Sequence, residues 1–598
     1  MKTQYNKAIG VALLLGAVGV VNAQEDLTKK NALEREMTLE REYDPTVLDA
    51  NKVNTLPAIK EPEARKIPID YSDYTIPASP APQIGILPAG NMMTEIAHNK
   101  RRGYLNLGVG TYLNINGDVG YHILSTEKDK LNVWYSHRST NGNVSYSQLD
   151  DVKVKVKIND NLGGVGYTHA FDKMLLNMGL RYGYSAFNYY GLPNGNSSSL
   201  PLEQQLEQVD RETNQENQTI MAKVGVESKE GADVGYLLDV DYIRFSHKYG
   251  LGKPAEGPAE NTIDVKFGLN AGFNGNMRVG LDGQFEYFNY SLPEETKAAN
   301  GTFYVCEFEN HAEGTLSPYY RIEGDNWNVK LGASVMFVTG ENSKFMASPN
   351  IAADVEVAEK TQFYLNAGGK LYSNSMYETS LVNRYVDPTC ELAPSRNWLD
   401  AQLGIRSGIV PGFWFDIFGG YKITSSDVLF LPSRTYMSGH FGNFCQAMPD
   451  VDTKLLFAGV NLKYSYQQLF DIQLKGVYNH WTATYGDSWI GGEVNGDLEY
   501  VWGKPKVEIT AGVTVHPIQK LAIALDYYLA TDRYTELDGA NPLKMNNINE
   551  LNLTGSYTFN DTFGVYAKLN NILFQEYELY YGYPMQKFSA MVGVNINF

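Results

Sequence analysis

The chain has 598 residues, with 42 tyrosines, 56 glycines and a formal net charge of −18. That charge excludes nucleic acid as a partner. Past Val21 there is no apolar run of the roughly eighteen residues that a spanning helix needs. The negative mean hydropathy does not exclude a membrane β-barrel, because half of each spanning strand is polar.

In chain order, residues 1–23 read as a secretory signal peptide. Lys2 and Lys7 supply positive charge, Ala8–Val21 is apolar, and Val21-Asn22-Ala23 places the cut between Ala23 and Gln24. The mature chain is expected to be exported through the Sec route to the outer membrane of a Gram-negative cell. Residues 24–102 differ from everything after them. Pro45, Pro57, Pro62, Pro68, Pro77, Pro80, Pro82 and Pro88 prevent helix interiors and central strands, so the segment reads as irregular and extended, in the periplasm or the lumen.

Residues 103–598 read as short alternating strands. Val507, Ile509, Ala511, Val513 and Val515 face one way and Glu508, Thr510, Gly512, Thr514 and His516 the other. A turn at His516–Lys520 leads into the next strand. The division gives about 22 strands, an all-β transmembrane antiparallel barrel. Its links alternate in length. Glu127–Lys130, Asp172-Lys173, Lys229–Asp233, Glu359-Lys360 and Asn560–Thr562 are short; Gly191–Asn217, His247–Asn261, Ser291–Ala312, Ser373–Arg396, Ser425–Thr453 and Thr484–Gly503 are long. Tight turns on one rim and long loops on the other are what such barrels show, the short rim being periplasmic. Cys306, Cys390 and Cys445 all fall in long links, so one cross-loop disulfide or three unpaired thiols are both open.

The last strand alternates strictly. Phe588, Ala590, Val592, Val594, Ile596 and Phe598 form an apolar face expected to meet lipid, and the strand must pair with the first, since a free edge does not survive in lipid. Lys153, Lys155 and Lys157 alternate with valines. They read either as a basic ladder in the lumen or mouth, or as a solvated strand rising above the membrane.

The C-terminal residues carry a recognisable pattern. Leu569-Asn570-Asn571-Ile572-Leu573-Phe574, Tyr577, Tyr581-Gly582-Tyr583-Pro584-Met585 and the strand ending at Phe598 resemble the closing hairpin of TonB-dependent receptor barrels. Arg41–Thr46 and Ala81–Ile84 look like a subgroup of these from Bacteroidetes-type bacteria. The resemblance implies a plug domain ahead of the barrel. Only the Pro-rich residues 24–102 stand there, and Met37-Thr38-Leu39-Glu40 is the nearest approach to a TonB box, so the expectation is a barrel of this kind without a full plug.

No G-x-S-x-G, H-E-x-x-H, Walker or EF-hand pattern is found, and the nine histidines are scattered, so neither an enzyme nor a metal or cofactor site is expected. Tyr189, Tyr190, Phe303, Tyr304, Trp481 and Trp489 are loop aromatics that stack on a ligand or pack within the loops. The resemblance implies solute uptake, with an unidentified ligand. The alternative is a barrel subunit or scaffold of a larger envelope complex. Outer-membrane lipid and other envelope proteins are the expected partners.

Overall fold

The computed structural model describes residues 101–598 except 148, 150–151, 193–213, 230–231, 233, 251–255, 294–307, 341–342, 391, 433–435, 438–439, 442, 468, 486–496 and 537–541. The Ala23–Gln24 junction, residues 24–100, Cys306, Phe303, Tyr304 and Trp489 lie outside the described residues.

The chain forms a closed antiparallel barrel of 22 strands. They are β1 (Gly103–Gly110), β2 (Ile115–Ser125), β3 (Asp129–Ser145), β4 (Lys153–Ala170), β5 (Met174–Asn188), β6 (Asn214–Ser228), β7 (Val234–His247) and β8 (Ala259–Phe273). There follow β9 (Met277–Ser291), β10 (His311–Glu323), β11 (Trp327–Val338), β12 (Lys344–Pro349, resumed at Ile351–Ala358), β13 (Thr361–Tyr372), β14 (Ser395–Ser407) and β15 (Phe413–Pro432). The ring is completed by β16 (Cys445–Tyr466), β17 (Phe470–Tyr485), β18 (Val507–Ile518), β19 (Leu521–Thr531), β20 (Ile548–Thr558), β21 (Phe563–Asn570) and β22 (Ser589–Asn597). One helix, α1 (Met376–Val382), lies in the link after β13. Among the described residues no helix is long and apolar enough to cross a membrane.

β1 pairs with β22 from Tyr104↔Asn597 to Gly110↔Met591, and Arg102 and Gly103 donate their N–H groups to the Phe598 carbonyl. Closure leaves no row of unpaired backbone groups facing lipid, the condition for a sheet to exist there. At this seam Gly593 makes room for the Tyr566 ring, whose Cζ lies 2.2 Å from where a Cβ would stand. Cysteines at Leu107 and Val594, a registered pair across the seam, are expected to form an intramolecular disulfide on mild oxidation. Failure to cross-link would show an open sheet.

Period-two alternation sorts the side chains. Leu180, Val592, Leu403 and Ile417 stand more than half exposed on the outside. The inner face is polar and paired: Arg138 with Asp118 at 2.9 Å, Lys223 with Asp239 at 3.0 Å, Arg406 with Asp354 at 2.9 Å and Lys422 with Asp400 at 2.8 Å. Oil outside and water inside explain this division.

Two details depart from expectation. The turn placed at His516–Lys520 shrinks, because β18 runs through Pro517 to Ile518. A register shift between Val515 and Ile518 removes the need for a ladder N–H at the proline. The long link placed at Ser425–Thr453 is mostly strand, since β15 continues to Pro432 and β16 begins at Cys445. That hairpin rises well past the barrel rim and supplies part of the structure that covers it.

Candidate functional site

Several long links pack across the rim that carries them. Residues 373–394, between β13 and β14, leave the wall at Ser373. The Ser375 hydroxyl caps α1 by accepting the Glu378 N–H at 3.2 Å. The helix start is held by Glu260 of β8, whose carboxylate accepts the N–H groups of Met376 at 2.6 Å and Tyr377 at 3.4 Å. Tyr377 lies 5.7 Å, ring to ring, from Phe245 of β7. Beyond α1, Arg384 donates two hydrogen bonds to Asp160 of β4, at 3.0 and 2.9 Å, with its guanidinium over the Phe187 ring. The segment therefore crosses the mouth from β13, by way of β7 and β8, to the wall at β4 and β5.

Tyr385 then stacks on Tyr583 at 4.1 Å and meets Tyr190 and Phe187 edge-on. Val386 bridges to Cys445 in parallel, with the Cys445 N–H on the Tyr385 carbonyl and the Asp387 N–H on the Cys445 carbonyl. From the link before β22, Tyr580 donates to the Val382 carbonyl at 2.8 Å and Tyr583 to the Asn443 carbonyl. Gly582 turns there with φ of 81° against the Leu192 backbone, a position where a Cβ would lie 2.9 Å from the Leu192 nitrogen. The result is one apolar core built from strand ends and links far apart in sequence. It joins Val144, Val154, Val156, Tyr190, Val386 and Tyr583, all nearly fully buried, with Tyr146, Leu192, Leu392, Val428, Cys445 and Ala447. Burial of this much apolar surface holds the links as a packed lid. A second core of Leu429, Leu431, Met448, Val451, Ala483, Val501 and Trp502 extends it along β15–β17.

Beneath α1 the inner wall is acidic. Asp241, Asp264, Glu286 and Glu313 are successive register partners across β7 to β10. Like charges directly opposite each other cost stability. Lys266 on Asp264 at 2.7 Å and His311 on Glu313 at 3.3 Å offset part of that cost. Among the described residues no group of three or more His, Cys, Asp or Glu is arranged to hold a metal ion.

Two lid carboxyls are shifted by their surroundings. Burial pushes Glu260, at the rim beyond the lipid-facing part of β8, up to about 7, against the pull of the Met376 and Tyr377 N–H groups. Burial likewise pushes Asp387 up to about 6, against hydrogen bonds from Thr389. A carboxyl whose value is raised in the docked lid favours docking while protonated, and that contribution is lost as pH rises through the raised value. Lid protection in hydrogen exchange, corrected for the intrinsic rate, is expected to fall between about pH 4 and pH 7. Glu260→Gln should flatten much of that dependence, and an unchanged profile would remove Glu260 from the account.

No family model matches the chain, and no curated protein matches it. Solved structures do. The siderophore receptor PirA from Acinetobacter baumannii aligns with a TM-score of 0.61 at 9% identity, over 84% of this chain and 81% of that one. The ferric-catecholate import receptor Fiu from K12 E. coli gives 0.58 at 9%, over 84% and 82%. The copper transporter OprC gives 0.57 at 10%, over 83% and 80%. The chain shares its barrel fold with these receptors and this transporter.

Cys390 and Cys445 are thiols that the lid brings into one core. The Cys390 sulfur lies 3.8 Å from the Ala447 carbonyl, and burial pushes the Cys445 thiol up to about 12. Val592 and Phe598 are 60% and 52% exposed on the outer side of β22, with Ala590, Val594 and Ile596 partly exposed on the same side; Ser589, Met591 and Asn595 are buried. Phe588 precedes the strand and stacks on Phe574 at 5.0 Å. Lys153 and Lys155 are exposed and Lys157 is partly so, on the outer face shared with Val165, while Val154 and Val156 point into the lid core. The ladder thus faces away from the lumen, because its valines are needed inside the lid. Tyr189 and Tyr190 are buried lid residues, and Trp481 packs on the second core.

Sequence reading missed Glu260, Arg384, Tyr385 and Asp160 as lid fastenings. The one local signal available was the clustering of tyrosines in long links, at Tyr189-Tyr190 and Tyr580-Tyr581-Gly582-Tyr583.

Proposed function

We propose that the barrel is a gated conduit for uptake of a small solute across the outer membrane, with the long links as lid and first contact surface. The observation that carries this reading is the lid itself, a packed apolar core fastened across a polar, charge-lined lumen. A structural wall has no use for a water-compatible interior closed by a separately fastened cover. A siderophore receptor and a copper transporter among the neighbours in fold support uptake. The row Asp241, Asp264, Glu286 and Glu313 lowers the energy of positive charge just beneath the lid. The solute path therefore favours cationic groups.

Proteoliposomes are the test. Protein-dependent flux is expected, faster for small organic cations than for anions of equal size, and Asp264→Asn with Glu286→Gln should narrow that preference. Flux no greater than in protein-free vesicles, together with a stoichiometric co-purifying protein, would favour a scaffold role instead.

A further inference from the structure

Asp241 opposes Asp264, Asp264 opposes Glu286 and Glu286 opposes Glu313, one carboxylate from each of β7 to β10 at the same height. Side chains directly opposite each other on antiparallel strands stand about 5 Å apart at Cβ, so the Glu286 and Glu313 carboxyls share one patch of wall. Leu316, 43% exposed, marks the outer face of β10, and Glu313, three residues away, lies on the inner one. A further carboxylate comes from the lid. Glu378, in the first turn of α1, stands within electrostatic range of Glu286, Glu313 and Glu260.

The neighbouring cations are already committed. Lys266 is on Asp264 at 2.7 Å and Lys223 on Asp239 at 3.0 Å, while Arg181 bears on Asp241 at the far end of the row. His311 Nδ1 meets the Glu309 carbonyl at 3.0 Å, and a carbonyl only accepts, so Nδ1 carries a hydrogen. The contact of Nε2 with Glu313 Oε1 at 3.3 Å then holds a single proton, and the pair has no net charge whichever atom keeps it. The next cation round the wall, Lys344, is two strands from Glu313, with Val338 between. Glu286 and Glu378 make no hydrogen bond or ion pair among the described residues.

Glu313 shows that a donor is missing. The residue is 1% exposed, and its Oε2 has no hydrogen-bond partner. The Ser373 hydroxyl is near enough to bear on the carboxyl without bonding that oxygen. A buried carboxyl oxygen left bare is costly, and native folds rarely keep one. A bare metal ion does not fit the gap. Its oxygen ligands converge at about 2.0–2.6 Å, and no three described His, Cys, Asp or Glu side chains are so arranged. A nitrogen cation fits better, because an ammonium or guanidinium directs several N–H donors outward, each holding an oxygen at about 2.7–2.9 Å. One such group bridges carboxylates that a metal cannot gather.

We propose that Glu286, Glu313 and Glu378 form a subsite for a primary ammonium or guanidinium group of the solute, between α1 and the wall at β9 and β10. The proposal rests on the conduit reading, from which it takes that a solute reaches this wall, and it names the group that the solute carries. A cation held there touches lid and wall together, through Glu378 and Glu286.

The test is calorimetric titration of the full chain, in neutral detergent, with putrescine. Binding is expected. Butylammonium should compete for the site, whereas tetramethylammonium, which carries the charge without an N–H, should act only as background salt. Glu286→Gln and Glu313→Gln should each weaken binding about tenfold to a hundredfold, the worth of one hydrogen bond to a charged group. Absence of binding, unchanged affinity in both variants, or equal competition by tetramethylammonium and butylammonium would overturn the proposal. So would stronger displacement by sodium than by tetramethylammonium at matched ionic strength, which would mark a metal site instead. The competition series uses the wild-type chain alone and does not depend on any variant folding. The titration needs no membrane, so the two readings fail separately. Protein-dependent flux without putrescine binding would sink the subsite alone, and binding without flux would uphold the subsite and sink the conduit.

Discussion

Replacing Arg384 by alanine is expected to make the outer membrane leak. The guanidinium is the fastening that ties the lid segment to β4, by two charge-assisted hydrogen bonds to Asp160. Both side chains are largely withdrawn from solvent, at 24% and 31% exposure. Removing one partner leaves Asp160 half-buried with the Ser185 hydroxyl, at 2.5 Å, as its remaining side-chain partner among the described residues. Loss of one member of a sheltered ion pair costs about 3 kcal/mol, and that cost falls on the docked lid, since the barrel ladder is untouched. A docking equilibrium shifted by that amount moves more than a hundredfold toward the open form. Cells carrying the variant should become sensitive to a large hydrophilic antibiotic that wild-type cells exclude. Asp160→Asn/Arg384→Gln, which keeps a neutral pair of similar shape, should leak less than the single alanine variant. Equal exclusion by wild type and Arg384→Ala would show that the ion pair is ornamental.

Tyr583→Ala should release the lid by a different route. The ring is 2% exposed, stacks on Tyr385 at 4.1 Å, meets Tyr190 at 5.0 Å and anchors its hydroxyl on the Asn443 carbonyl. Truncating a buried aromatic costs about 3–5 kcal/mol, and here the cavity opens at the point where three links meet. Hydrogen exchange should report loss of protection for amides of residues 383–392 and 578–585, while strand amides on the short-turn side stay protected. Tyr583→Phe, which keeps the stacking, should lose far less. Uniform loss of protection throughout the barrel would mean that the tyrosine supports the wall and not a separable cover.

How much of this was legible beforehand follows from where the physics is local. The alternation of Val507–Val515 and of Ala590–Phe598 is imposed residue by residue by lipid on one side and water on the other, so strand number and the alternation of short and long links could be read directly, though not the length of the Ser425–Thr453 link. Pro517 misled because a proline ordinarily ends a ladder, and the register shift that admits it depends on the neighbouring strand. The period of Lys153–Lys157 was equally plain, but period alone does not say which face is inside. That was settled by the lid core, where Val154 and Val156 meet Tyr190 and Tyr583. The lid itself left almost no local trace. Arg384 finds Asp160 across 224 positions, and Met376 finds Glu260 across 116. No periodicity encodes a contact at that range. The Y-x-x-x-x-G-Y-P stretch was visible as a motif, but its use became clear only when Gly582 was seen against Leu192.

Long-rim links that act as a removable cover over a continuous aqueous lumen should open a conducting path when they are deleted. The direct measurement is single-channel recording in planar bilayers of the chain with residues 375–393 replaced by a short Gly-Ser link, in a background lacking residues 25–93 so that the cover alone is in question. Stepwise ohmic openings with cation preference, against a quiet trace from the same background with the cover intact, are predicted. A cover-deleted barrel as silent as its parent would contradict the claim.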